Sequence, residues 1–154
     1  MRDDEIWLYA CGSPPPSPKS LGEVEELRPR AREATLLFRS RDGLYFDRAR
    51  YVFTPKGEGF DGFTARLGCV FPFERGYAAF YDAGRTILDM YEEATGLAVS
   101  TDGISFDAVS TSPWVGGTHG NVRYVYALPA RDRLYIYYEY TRSDGSHELR
   151  VSIV

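Results

Sequence analysis

Four carboxylates of the sequence lie where they could do acid–base chemistry: Asp82, Glu92, Glu93 and Glu139. Such chemistry needs a protonated group and an ionised group close to the reacting atoms. Arg85 follows Asp82 by three residues, and a carboxylate beside an arginine stays ionised. Asp82 therefore fits a base or a substrate anchor better than an acid. The same acids also fit a salt-bridged loop that holds two strands together, and the sequence leaves both interpretations open.

Two arginines and a histidine could position a ligand beside these acids. Arg66 and Arg123, fifty-seven residues apart, lie near the start of two strand-like runs. A guanidinium can bind vicinal hydroxyls or a carboxylate through two hydrogen bonds. Alternatively, these arginines pair with acids and join neighbouring elements. His119 lies in a glycine-containing loop, where functional residues are common, and it either contacts substrate or only bonds within its loop.

Composition and charge exclude several classes of protein. The 154 residues include 18 Lys and Arg against 22 Asp and Glu, and a net charge of -4 argues against binding to nucleic acid. No apolar run is long enough to span a membrane, and the acidic N-terminus lacks the apolar segment of a secretory signal. The expected location is therefore cytoplasmic, with secretion open if the N-terminus is truncated. The two cysteines have no metal-ligand spacing, so neither a metal nor a cofactor is predicted.

The elements that must position these residues are predicted to be strands. Aromatic residues make up 15% of the chain, and 15 Gly and 9 Pro supply turns. The pattern Ser-x-Asp-Gly-x-x-Phe-Asp occurs at 40–47 and again at 100–107. Around the second copy lie four strand-like runs, with Asp102-Gly103 as a two-residue hairpin turn; the runs are 66–72, 76–82, 95–101 and 104–108. Four antiparallel strands in this length are typical of one β-propeller blade.

The repeat divides the chain, predicted to be one domain of residues 1–154, into three blade-like units at about 5–48, 64–108 and 121–154. A Pro-rich loop at 12–32 interrupts the first unit. The outer units have three strand-like runs each, and these are 5–11, 33–40, 44–48, 121–128, 132–141 and 146–154. The prediction is an all-β partial β-propeller of two and a half to three four-stranded blades. Either a second chain or a missing N-terminal half would complete the ring, and a ten-stranded β-sandwich is the rival fold.

Three stretches resemble the five-bladed β-propeller glycosidases of glycoside hydrolase families 43, 32, 68 and 130. They are the doubled Ser-x-Asp-Gly hairpin, Phe80–Arg85 followed by Tyr91–Ala98, and Asn121–Val125 followed by Tyr137–Glu139. The resemblance implies the C-terminal half of such a propeller, in which acidic residues act on a glycosidic bond in an axial pocket. The positions of the family-43 catalytic triad would lie upstream of Met1, and no Asp or Glu here matches that triad.

The resemblance implies a glycoside hydrolase-like protein, or a fragment of one, that acts on or binds carbohydrate. Glycosidic cleavage uses two carboxyl groups, and Asp82 and Glu93 are the best remaining acid–base candidates. The predicted substrate-binding residues are Arg66, Arg85, Tyr91, Glu92, His119 and Arg123. Tyr91 is included because aromatic rings stack on sugars, and Trp114 is a further loop aromatic of this kind. The alternative is a half-propeller without catalysis that binds carbohydrate or another protein.

Overall fold

Ten strands form three antiparallel sheets in the computed structural model, which describes residues 4–12, 33–47, 50–86, 88–89, 93–114 and 121–154. The first sheet contains β1 (Ile6–Gly12), β2 (Ala34–Ser40) and β3 (Arg50–Phe53). The middle sheet contains β4 (Thr64–Phe73), β5 (Gly76–Gly84), β6 (Ala94–Ser100) and β7 (Asp107–Ala108). The third sheet contains β8 (Val122–Ala130), β9 (Arg133–Thr141) and β10 (His147–Ile153).

The three sheets confirm the all-β partial propeller. Strands follow one another in chain order within each sheet, and the described residues give three, four and three strands, as the repeat predicts. The rival sandwich would need two facing sheets, whereas here the middle sheet packs between two others. Most of the Pro-rich loop, residues 13–32, lies outside the described residues.

Both faces of the middle sheet are buried because its strands are apolar on both sides. Side chains alternate along a strand, so Ala79 and Tyr81 of β5 face one side and Phe80 the other. Ala79 and Tyr81 belong to a first core shared with Phe53 of the first sheet. Phe80 belongs to a second core shared with residues of the third sheet, namely Val122, Val125, Ala127 and Ile136.

The doubled sequence pattern folds into two loops with the same hydrogen bonds. The backbone N–H groups of Gly43 and Gly103 each donate to the preceding Ser40 or Ser100 hydroxyl at 2.8 Å. In both loops the aspartate before the glycine accepts the N–H groups of the two residues that follow the glycine, at 2.8 to 3.0 Å. Both glycines have φ above +70°, a conformation in which other residues are strained.

These loops correct two strand predictions. The predicted strand at 44–48 is displaced to β3, beyond the predicted end of the first unit, because the Asp42 carboxylate takes the N–H groups of Leu44 and Tyr45. Likewise, Asp102-Gly103 is not a two-residue turn. The loop extends from β6 to β7, and Phe106 within it fills the first core.

Neighbouring sheets are also joined by a threonine at the second position of β2 and of β6. The Thr35 hydroxyl oxygen accepts the N–H of Leu67 on β4 at 2.8 Å. The Thr95 hydroxyl donates to the carbonyl of Val122 on β8 at 2.6 Å. Both threonines are buried, so each sheet is fixed to the next one at equivalent places.

Candidate functional site

Charged side chains meet where β4 and β8 begin. In the strand pairings, Arg66 lies opposite Asp82 and Arg123 lies opposite Glu139. Residues directly opposite each other share a face of the sheet, so each arginine stands beside an acid. We call the whole group the charged cluster; it consists of Glu33, Arg66, Asp82, Glu93, Arg123, Tyr124, Glu139 and His147.

Arg66 binds two glutamates from different sheets. Its Nη1 lies 3.1 Å from Oε2 of Glu33, and its Nη2 donates to Oε1 of Glu93. Burial lowers the pKa of Arg66, but Glu93, Glu33, Tyr124 and Asp82 together raise it by more, so the guanidinium stays positive. A fixed cation therefore lies between two carboxyl groups.

Glu93 is the most deeply buried acid of the cluster, with 1% of its surface exposed. Burial raises its pKa to about 7, although the charge of Arg66 lowers it. Its second oxygen, Oε2, has no hydrogen-bond partner among the described residues. At neutral pH such a carboxyl group is present in both protonation states, which suits a group that donates a proton.

Asp82 is the second buried carboxyl, and the backbone of β8 holds it. Its Oδ1 accepts the N–H of Tyr124 at 2.8 Å. Burial raises its pKa, while the Tyr124 N–H and the charges of Arg66 and Arg123 lower it. The sequence predicted that Arg85 acts on the pKa of Asp82, and this is wrong. Burial has the largest effect on that pKa, and the arginines that lower it are those of β4 and β8.

Tyr124 has a strained backbone, with φ at 53°. The pairing of β8 with β9 shifts between Arg123 and Tyr126, and that of β4 with β5 shifts between Leu67 and Cys69. A bulge of this kind redirects a side chain or an N–H group, and strain of this kind gathers at functional sites. The ring of Tyr124 lies 5.8 Å from the guanidinium carbon of Arg66 and 4.9 Å from that of Arg123.

The third sheet adds a further ionic group. The Nε of Arg123 donates to Oε1 of Glu139, and Nδ1 of His147 lies 3.0 Å from the same oxygen. His147 begins β10, so this group links all three strands of the third sheet. Both arginines therefore form the acidic pairs that the sequence left open as an alternative to ligand binding.

The predicted site residues separate into three groups in the structure. Arg66, Asp82, Glu93 and Arg123 lie together in the charged cluster. Arg85 is exposed in a bend after β5, outside the cluster. Tyr91, Glu92 and His119 lie outside the described residues. Trp114 is half exposed, and its ring packs on Phe80 with centroids 5.0 Å apart.

The candidates drawn from the sequence did not include Glu33, Tyr124 or His147. Glu33 had a detectable signal, because it precedes Glu93 by sixty residues, the spacing of the doubled pattern. Tyr124 and His147 had none, since their roles depend on a bulge and on strand register.

The described residues suggest no other chemistry. Within these ranges, His, Cys, Asp and Glu side chains nowhere gather in a group of three or more that could hold a metal ion. The described part of the chain also contains no helical segment with the length and hydropathy of a membrane span. A shallow polar depression of about 390 Å³ beside the Ser40 loop includes no residue of the charged cluster.

The fold and the site together define a partial β-propeller whose charged cluster draws residues from all three sheets and contains two buried carboxyl groups, those of Asp82 and Glu93. The chain is similar to the crystal structure of a thermostable family-43 glycoside hydrolase, with a TM-score of 0.62 and 14% identity over 78% of this chain and 44% of that one. It is also similar to an N-acetylgalactosamine deacetylase from F. plautii, solved in complex with blood group B trisaccharide. There the TM-score is 0.53 and the identity 14%, over 97% of this chain and 46% of that one.

These similarities establish the fold alone, and the chain spans less than half the length of either structure. The sequence matches no family model, and it matches none of the curated proteins with which it was compared.

Proposed function

We propose that the charged cluster binds carbohydrate and that the chain is glycoside hydrolase-like, with Glu93 as the acid. The observation that carries this proposal is the buried carboxyl of Glu93, whose pKa of about 7 leaves a proton available at neutral pH. The similarity in fold to a family-43 glycoside hydrolase, and to a deacetylase solved with a trisaccharide, supports carbohydrate as the ligand class.

Each buried carboxyl has a distinct role in this proposal. Cleavage of a glycosidic bond needs an acid that protonates the leaving oxygen and a second carboxylate that acts as base or nucleophile. Glu93 supplies the proton. Asp82 acts as the second carboxylate, because the N–H of Tyr124 and two nearby guanidiniums favour its ionised form against the burial that raises its pKa.

The arginines hold the sugar. Arg66 and Arg123 present N–H groups that can donate to hydroxyl oxygens. The Nε of Arg66 is buried and has no hydrogen-bond partner among the residues described, so a ligand oxygen that reached it would satisfy an unpaired donor.

The experiment is a panel of aryl glycosides incubated with the chain, with Glu93→Gln and Asp82→Asn as variants. We expect slow release of the aryl group by the unaltered chain and at least a hundredfold loss in each variant. Glu58→Gln is the matched control, because Glu58 is exposed and lies outside the cluster. Hydrolysis that survives both cluster substitutions would place the chemistry elsewhere.

A second candidate is a carbohydrate-binding half-propeller without catalysis. The ion pairs of both arginines favour it, because paired side chains bind polar ligands without moving protons. Its signature is a rise in melting temperature with added sugar, lost in Arg66→Met, without any turnover. If sugars neither raise the melting temperature nor are cleaved, both candidates fail.

A further inference from the structure

The outer face of the third sheet is apolar and exposed. Its apolar residues point away from the second core and are Tyr126, Leu128, Tyr135, Tyr137, Leu149, Val151 and Ile153; Glu139, opposite Leu149, lies at the end of the same face. Strand register places Tyr126, Tyr137 and Val151 in one row across the sheet. Tyr126 is 53% exposed and Val151 49%. Contiguous apolar surface of this kind marks an interaction site.

The internal repeat indicates what this face is built to contact. Three of its residues follow three residues of the middle sheet by fifty-seven positions: Tyr126, Leu128 and Tyr137 correspond to Cys69, Phe71 and Phe80. Those residues of the middle sheet pack against the third sheet in the second core. The third sheet thus carries the surface that, one unit earlier, is covered by another sheet.

The first sheet has the complementary surface on its own outer side. Leu8 and Ala10 of β1 lie opposite Phe38 and Leu36 of β2, and Leu8 is 45% exposed. Tyr9, between them, points the other way and packs in the first core. We call the group of Ile6, Leu8, Ala10, Leu36 and Phe38 the outer face of the first sheet.

The repeat also indicates which contact the outer face of the first sheet corresponds to. Phe38 precedes Ala98 by sixty residues, and Leu8 is paired with Phe38 as Ala79 is paired with Ala98. Ala79 and Ala98 face the preceding sheet in the first core. The outer face of the first sheet is therefore the side that receives a preceding sheet.

We propose that a second copy of this chain packs head to tail on the first, with the outer face of each third sheet against the outer face of the other first sheet. The chain itself already forms this interface twice, between successive sheets. One two-fold axis brings both pairs of faces together at once and closes the assembly. The result is a ring of six sheets, within the range that propellers adopt.

The test is the mass of the full chain in solution, by light scattering after size-exclusion chromatography. We expect twice the chain mass of 17.4 kDa. Tyr126→Arg and Leu8→Arg should each yield a monomer, since either places a charge in both interfaces. Leu88→Arg, at an exposed apolar residue outside both faces, should stay dimeric. Circular dichroism checks that each variant folds.

Mixing the two monomeric variants tests whether the two faces contact each other. Tyr126→Arg keeps an intact first sheet and Leu8→Arg an intact third sheet, so a mixture restores one interface and some dimer. A wild-type monomer at the highest soluble concentration, a mass that grows with concentration beyond two copies, or a dimer that survives Leu8→Arg would each overturn the proposal.

Discussion

Glu33 and Glu93 bind the same guanidinium, that of Arg66, from equivalent positions sixty residues apart. Each glutamate directly precedes a strand, β2 in the first sheet and β6 in the middle sheet. Two copies of one sequence feature thus converge on a single cation. The charged cluster depends on Arg66, because this cation bonds to both the buried carboxyl of Glu93 and the partly buried carboxylate of Glu33.

Replacing Arg66 by methionine should destabilise the protein strongly. Methionine keeps the length of the aliphatic part but leaves Glu93 and Glu33 without their cation, and removing one partner of a buried ion pair costs about 3 kcal/mol or more. Urea unfolding measures the loss. Arg85→Met is the control, since an exposed arginine outside the cluster should change stability by less than about 0.5 kcal/mol. Equal effects of the two substitutions would contradict the ion pairing.

Glu93 should make stability depend on pH in a defined window. Its pKa rises from an ordinary 4.5 to about 7 on folding, so between these values the unfolded chain has released a proton that the folded chain keeps. The free energy of unfolding therefore falls as pH increases through this window, by about 3 kcal/mol from this group, and levels off above pH 7.

Glu93→Gln tests this dependence, because glutamine has nearly the same shape and does not titrate. Unfolding by urea at a series of pH values should show a shallower decline in the variant than in the unaltered chain. Some decline remains, since burial also raises the pKa of Asp82. Glu58→Gln, at an exposed site, should leave the slope unchanged; an identical slope in Glu93→Gln would rule out the buried proton.

The sequence predicted the sheets well because their signals are local. Alternating apolar residues and the doubled Ser-x-Asp-Gly pattern located all three sheets and their strand counts among the described residues. The misplaced β3 shows the limit of that reasoning. Leu44 and Tyr45 have strong strand propensity, but the Asp42 side chain takes their N–H groups, and a local side-chain bond outweighed propensity.

Gly96 should tolerate no side chain. A Cβ atom built there would overlap the ring of Tyr81, which is fully buried and cannot move away. Gly96→Ala should therefore lower the free energy of unfolding by about 1–3 kcal/mol. Gly68→Ala is the matched control, because a Cβ at that position would meet its neighbours only at ordinary distances of 3.6 Å or more. Thermal unfolding of both variants measures the difference.

The two threonines between sheets should contribute unequally. In Thr35→Val the N–H of Leu67 loses its acceptor, whereas in Thr95→Val the Val122 carbonyl keeps a second lone pair for other donors. We expect a loss of about 1–3 kcal/mol for Thr35→Val, the cost of an unsatisfied donor, and about 1 kcal/mol for Thr95→Val. Thr101→Val, at an exposed position, is the control in chemical denaturation. A larger effect of Thr95→Val would contradict this ranking.

The charged cluster could be predicted only in part. Arg66, Asp82, Glu93 and Arg123 were found because strand positions and spacing are visible in the sequence. Their partners were not, because ion pairing between sheets depends on how the sheets pack. The pKa of Asp82 shows this most clearly: Arg85 is near in sequence, yet burial has the largest effect and raises the pKa.

The threonine bonds between sheets also have a consequence for how such a chain can grow. The middle unit carries both halves of this contact: its Thr95 hydroxyl bonds to the next sheet, and its Leu67 N–H bonds to the threonine of the preceding sheet. A gene duplication that inserted one such unit would therefore add both the threonine and the backbone group that these hydrogen bonds need. The number of sheets could then change over evolution while the hydrogen bonds between neighbouring sheets stay the same.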